Sequence, residues 1–220
     1  MKIIDYDKKA YAFREVIASY MNIDEEPACN NVLENLHSTL NVDYSVFDAD
    51  TDQSTIFHKL FYTLANREDS DFYHVYKEFI RNEVTKEMGS DIIYQKYPTF
   101  RTHLPNNLGV GAFHKDRDYN HSESEVNFWL PVTDTWGTNT IWCESEEDLG
   151  DYEPIEVKHG QVLIFNGATL SHGNKINDTG TTRVSFDFRV VKKSEFKPSG
   201  KETVSQGKKF EIGDYFEELE

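Results

Sequence analysis

The hydrophobic period of this chain changes near Gly89, from about 3.6 residues to about two, the periods of a helix and of a strand. Before that point apolar residues recur every three or four positions, as in Phe13, Val16, Ile17, Tyr20 and Met21. The same spacing links Cys29, Val32, Leu33, Leu36 and Leu40, then Ile56, Phe57, Leu60, Phe61 and Leu64, then Phe72, Val75, Tyr76, Phe79 and Ile80. Each stripe predicts a helix that buries one face, and Ser70 or Asp71 is placed to cap the last of them. His37, His58 and His74 lie within these segments and read as surface or boundary residues. After Gly89 short runs rich in Val, Ile, Phe, Tyr and Thr alternate with turn residues. Strands are expected over 94–103 (interrupted by Pro98), 110–114, 126–132, 140–143, 162–165 and 183–191. Many short strands at this spacing suggest a sandwich or jelly roll. The expected organisation is one α+β domain: helices over 1–90 packed on a β core over 91–191, then a Lys/Glu-rich tail over 192–220 that wraps the surface or is partly mobile.

Composition excludes several classes of function. With 23 Lys and Arg against 39 Asp and Glu, the net charge is −16. Such a surface repels phosphate backbones and anionic lipid, so neither a nucleic acid nor a membrane is an expected partner. A small molecule is, and the acidic surface suits a cationic amino sugar. Fifteen Phe, 12 Tyr and 3 Trp supply a large core. The opening MKIIDYDKKAYAFREVI lacks the apolar run of a signal peptide, and no stretch of about 18 apolar residues could span a bilayer. Cys29 and Cys143, far apart, make neither a disulfide framework nor a thiolate zinc site. They read as reduced thiols of a cytoplasmic protein.

Five of the eight histidines fall in the β-rich part: His103, His114, His121, His159 and His172. His114 and Asp116 form an H-x-D pair, which on extended backbone puts both side chains on one face. His172 follows after 55 intervening residues, room enough for several strands to return to the same place. Two imidazoles and one carboxylate on one side of a metal are the ligand set of non-haem Fe(II) oxygenases. His121-Ser122-Glu123 is a competing pair. Beyond His172 comes Arg183-Val184-Ser185, whose guanidinium and hydroxyl share a strand face and together suit a carboxylate. An Arg in a β-rich core needs an anionic partner, and a dicarboxylate cosubstrate would provide one.

The set His114, Asp116, His172, Arg183 and Ser185 resembles that of the iron(II)- and 2-oxoglutarate-dependent dioxygenases. The segments EVNFWLPVTDTWGTNTIWCES and HGNKINDTGTTRVSFDFRV resemble more narrowly the bacterial group typified by a streptomycin-biosynthesis oxygenase, related to the phytanoyl-CoA hydroxylase type. The similarity covers about residues 92–191. It implies a double-stranded β-helix, the cupin-like jelly roll. It also implies Fe(II) on His114, Asp116 and His172, with 2-oxoglutarate chelating the metal and its far carboxylate on Arg183 and Ser185. The implied reaction consumes O2, releases succinate and CO2, and hydroxylates or otherwise oxidises a C–H bond of a small polar molecule such as a sugar, an aminocyclitol or an amino-acid derivative. Related halogenases lack the metal carboxylate, so Asp116 favours hydroxylation, desaturation or ring closure. A cupin-like metal enzyme that ignores 2-oxoglutarate would use the same triad but leave Arg183 and Ser185 without a role. A non-catalytic carbohydrate-binding jelly roll would have no use for the triad.

Neighbouring residues carry further expectations. Asn127 is expected beside the cosubstrate, while Phe128, Trp129, Pro131, Asn139 and Trp142 either line the pocket or fill the barrel. Gln95 and Arg101 lie just before the metal segment; Arg101 either meets substrate or pairs with one of the many surface carboxylates, and His103 is a candidate substrate contact. His121, Glu123 and Glu125 read as a polar lid, His159 as structural, and Asn174 as a group that fixes His172 or caps a turn.

Overall fold

The computed structural model describes residues 1–21, 31–39, 55–109, 112–204 and 207–219. Cys29 and Leu40 of the second apolar stripe, and Val110 and Gly111 of the expected strand before His114, lie outside them.

Three of the stripes form helices: α1 (Phe13–Met21), α2 (Ile56–Leu64) and α3 (Asp71–Phe79). Ser70 caps α3 by accepting a hydrogen bond from the Tyr73 amide at 3.1 Å. The chain continues through a π turn (Ile80–Val84) into α4 (Thr85–Met88) and stops at Gly89, whose φ of 82° suits a residue without Cβ. Leu33–Thr39 makes only a kinked 3₁₀ segment, not a regular helix. His58 departs from its expected surface position. It is 2% exposed, bonded to Thr55 Oγ1 and packed edge-on to Phe100.

The strands are β1 (Lys2–Asp5), β2 (Ile92–Gln95), β3 (Thr99–His103), β4 (Val126–Pro131), β5 (Ile141–Cys143), β6 (Glu153–Ile155), β7 (Gln161–Phe165), β8 (His172–Gly173), β9 (Arg183–Lys192) and β10 (Phe216–Glu218). The larger sheet runs β1-β7-β4-β9-β2-β10, with β3 also pairing with β9, and the smaller runs β6-β5-β8; every pairing of these strands is antiparallel. β1 is a strand where a helical first third was expected. Its four residues pair with Gln161–Ile164 at the edge of the sheet, a contact no local period reveals. The tail also adds a strand, β10, and a small cluster in which Phe210, Tyr215 and Phe216 pack on Ile93 and Val191.

β9 organises the molecule. Val184, Phe186, Phe188 and Val190 alternate onto one face, and all are fully buried. The helices cover that face: Phe13 and Phe72 meet Phe186 at ring-centroid distances of 4.9 and 5.3 Å, and Tyr76 meets Phe188 at 5.1 Å. The other face of β9 carries Arg183, Ser185, Asp187 and Arg189. β4 divides the same way, with Phe128 and Leu130 in the core and Asn127, Trp129 and Pro131 opposite. The apolar faces thus hold the sheet against the helices, and the polar faces are left to build a site.

Candidate active site

His114 and His172 are brought together by the backbone. Each donates its amide to the other's carbonyl at 3.0 Å. Asp116 is pinned next to them by its own amide, which donates to the Gly167 carbonyl at 2.8 Å. Asp116 does not continue the extended backbone expected of the pair but opens a 3₁₀ turn, Asp116–Tyr119. The extended Lys115 before it (φ −106°, ψ 137°) preserves the alternation, so His114 and Asp116 still point the same way.

One ligand atom from each of the three residues lies within 4.8 Å of the others. Asp116 Oδ1 is 3.5 Å from His114 Nε2 and 3.6 Å from His172 Nε2. Both imidazoles are oriented from behind: Nδ1 faces the Ala112 carbonyl at 2.9 Å in His114 and the Leu170 carbonyl at 3.0 Å in His172. A carbonyl only accepts, so each Nδ1 carries a proton, and Nε2, on the Asp116 side, is the atom that a metal takes from the neutral ring. Burial alone would raise the pKa of Asp116, which is 3% exposed, but Arg189 and the two imidazoles hold it well below the usual carboxylate range. Burial lowers the His172 pKa. For His114 burial pulls the same way, but Asp116 and the Ala112 carbonyl together outweigh it and the pKa is raised. This is a donor set for a divalent cation: an ionised carboxylate and two imidazole lone pairs converging on one point.

Behind Asp116 stand residues that the motif reading did not reach. Arg189 donates to Asp116 Oδ2 from Nη2 at 2.9 Å and from Nε at 3.3 Å, and reaches Asp187 Oδ2 through Nη1 at 2.6 Å. The signal was present, because Arg183-x-Ser185-x-Asp187-x-Arg189 continues one strand face at period two. Asn127 is turned to the same oxygen. Its Nδ2 donates to Asp116 Oδ2 at 2.7 Å and its Oδ1 accepts from the Gly167 amide at 3.2 Å. Asn127 also lines the cavity, but its amide is committed to the carboxylate and to Gly167. Gly167 is needed there, since a Cβ at that position would meet Asn127 Nδ2 at 2.6 Å.

A cavity of about 90 Å³ opens in front of His114 and His172, and Arg101, Trp129, Asn174, Arg183, Asp187 and Arg189 also line it. Arg183 is 2% exposed, and its Nη1 donates to the Asn139 carbonyl at 2.9 Å and to Asn174 Oδ1 at 2.8 Å. Asn174, expected to fix His172 or cap a turn, thus also holds Arg183. Trp129 places its ring 5.7 Å from the guanidinium carbon. Ser185 is fully buried, yet its Oγ has no hydrogen-bond partner among the described residues. A buried hydroxyl without a partner costs about 1–3 kcal/mol, which a polar ligand removes.

Other candidates fall outside the cavity. Gln95 binds the Tyr97 carbonyl and accepts from the Tyr215 hydroxyl and the Arg189 amide, so it braces the tail. His103 is fully buried with Nε2 on the Asn107 carbonyl. His121 pairs with Glu125 at 2.7 Å and packs on Phe210 of the tail, so this loop is anchored where a lid was expected. Trp142 donates to the Gly137 carbonyl and lies under the Lys175 ammonium.

No family model matches the chain. Over 171 residues it is 40% identical to the streptomycin biosynthesis protein StrG of Streptomyces griseus, a match that covers 76% of this chain and 78% of that one. Among solved structures, CytC3 with Fe(II) and alpha-ketoglutarate is similar with a TM-score of 0.52 and 14% identity, over 87% of this chain and 72% of that one. AviO1 from Streptomyces viridochromogenes Tue57 gives a TM-score of 0.46 and 13% identity, over 91% of this chain and 92% of that one. At such identity the likeness to CytC3 is one of fold.

Proposed function

The chain belongs to the family of the streptomycin biosynthesis protein StrG, and we propose that it is an iron(II)- and 2-oxoglutarate-dependent oxygenase acting on a C–H bond of a small polar molecule. One observation carries this reading: two oriented imidazoles and an ionised carboxylate converge at the wall of a cavity that also holds a buried guanidinium. The fold shared with CytC3, which was solved with Fe(II) and alpha-ketoglutarate, supports it. So does the arrangement of two antiparallel sheets, with His114 bridged to His172 of β8 in the smaller one, which we read as a double-stranded β-helix.

The residues present fit the implied groups. His114 Nε2, Asp116 Oδ1 and His172 Nε2 would hold the iron, and Arg183 with Ser185 would take the far carboxylate of 2-oxoglutarate. The buried Ser185 hydroxyl then gains the partner it lacks. Bound iron, 2-oxoglutarate and O2 together supply the oxidising chemistry, in which the cosubstrate becomes succinate and CO2 while the substrate C–H bond is oxidised. The chain's own part is placement. Arg189 and Asn127 both bind Asp116 Oδ2, which leaves Oδ1 facing the two imidazoles. The carbonyls of Ala112 and Leu170 fix the tautomers, and Asn139 and Asn174 hold Arg183 in line. Charge supports the pairing, because a guanidinium beside an incompletely neutralised metal suits a dianion. The carboxylate of Asp116 occupies a ligand position, which favours hydroxylation, desaturation or ring closure over halogenation.

We also read residues 1–90, 91–191 and 192–220 as parts of one domain. Among the described residues no helix is long and apolar enough to cross a membrane. The buried Cys143 is a free thiol, its pKa pushed up to about 12 by burial, and a cytoplasmic location stays our reading of the two widely separated cysteines in the sequence. The test is formation of succinate from 2-oxoglutarate with Fe(II) and O2. Turnover is expected to need both and to vanish in His114→Ala and Asp116→Ala. Undiminished turnover in either variant contradicts the metal assignment.

A further inference from the structure

The cavity is lined by a third guanidinium besides those of Arg183 and Arg189, that of Arg101. Arg101 lies on β3, in register with Ser185 of β9, so it shares the polar sheet face with Arg183, Asp187 and Arg189. It is half-buried and lines the same cavity as His114 and His172. Its hydrogen bonding among the described residues is a single contact at the limit of range, 3.5 Å from Nη1 to the Phe100 carbonyl, and no carboxylate there lies within ion-pair distance. The nearby acids are already engaged. Arg189 holds Asp187 at 2.6 Å and Asp116 at 2.9 Å. In a chain with 39 acidic residues against 23 basic ones, a guanidinium left facing a cavity without an acid is a feature of that cavity.

The charges agree. Arg101, Arg183 and Arg189 stand against Asp116 and Asp187, which leaves one positive charge in excess. Iron(II) adds two and the 2-oxoglutarate dianion removes two, so the excess remains. A half-buried guanidinium without an acid beside it suits an oxyanion that can accept its fork of donors.

We propose that the prime substrate carries an oxyanion group, a carboxylate or a phosphate ester, and that Arg101 binds it. This deepens the oxygenase reading and rests on it. It also replaces the cationic amino sugar suggested by the net charge. That charge belongs to the surface as a whole, while the cavity is locally positive.

The test uses the holoenzyme with Mn(II) in place of iron and saturating 2-oxoglutarate. Inorganic phosphate and [1-13C]acetate are the probes, followed by the paramagnetic relaxation of their 31P and 13C signals. Saturable relaxation is expected in the wild type, with binding at least tenfold weaker in Arg101→Gln and intermediate in Arg101→Lys. A response to phosphate alone assigns a phosphate ester, and a response to acetate alone a carboxylate. The proposal is overturned if neither anion gives saturable relaxation in the wild type, or if Arg101→Gln and Arg101→Lys both bind as the wild type does. It is overturned equally if the anaerobic Fe(II) forms of both variants lose the visible band of chelated 2-oxoglutarate that the wild type shows, for Arg101 then serves the cosubstrate. Absence of that band in the wild type overturns the oxygenase reading itself, which separates the two failures.

Discussion

Replacing Arg189 by Met removes the group that holds two carboxylates at once. Its guanidinium lies 2.9 Å from Asp116 and 2.6 Å from Asp187, and the three side chains are 11%, 4% and 14% exposed. Taking one partner out of a buried ion pair costs about 3–5 kcal/mol, because the stranded charge stays desolvated. The upper end applies where two charges are stranded, and the remaining Asn127 bond to Asp116 Oδ2 at 2.7 Å moderates it. The Asp116 carboxyl titrates well below its ordinary value, so its contribution is complete at neutral pH and is lost only as pH falls through that lowered value. At about 2–4 °C per kcal/mol for a domain of this size, the metal-free variant should melt roughly 6–20 °C below the wild type at pH 7. Calorimetry of both proteins, with and without saturating Zn(II), measures this. Zinc should narrow the gap, since a divalent cation beside Asp116 supplies the counter-charge that was lost. A metal-free difference under about 2 °C would refute the reasoning, because an error of that size in a buried pair leaves no room for the assumed desolvation.

Further outcomes follow from the same geometry. Asn127→Ala strips one donor from Asp116 Oδ2, and metal affinity measured by chelator competition should fall about 10–100-fold, as for other groups that orient metal ligands. Gly167→Ala should reproduce part of that loss, since its Cβ would lie 2.6 Å from Asn127 Nδ2; unchanged affinity in both variants would contradict the assigned role. Burial, with Arg101 nearby, lowers the His58 pKa to about 3, and burial, with Arg183 nearby, lowers that of His103 to about 3. Both pKa values rise on unfolding, so stability is greatest above the ordinary histidine value and falls with acid until pH reaches about 3. Each histidine adds a slope of up to about 1.4 kcal/mol per pH unit, and urea titrations between pH 5.5 and 4 should show His58→Phe losing one such share. An unaltered slope would count against a neutral, buried His58.

The parts of this molecule that were legible in its sequence are those set by local period. The stripes through Phe13, Phe57 and Phe72 became helices, and Ser70 capped the helix it precedes. The strand carrying Arg183 and Ser185 could be read from its alternation, and continuing that alternation would have reached Asp187 and Arg189 as well. What could not be read depends on partners distant in the chain. β1 is four residues long and exists by pairing with β7. The tail is anchored because Tyr215 reaches Gln95 and His121 packs on Phe210. Asn127 and Asn174 were both expected near the site, but which groups they hold, Asp116 and Arg183 among them, is decided by side-chain torsions in the packed site. No spacing rule carries that information.

Iron at this triad should chelate 2-oxoglutarate, and that binding can be observed directly. Titrating the cosubstrate into the anaerobic Fe(II) protein should raise a weak visible charge-transfer band that saturates at one equivalent and is absent from His172→Ala. A titration with no band in the wild type, or a band of equal strength in His172→Ala, would contradict it.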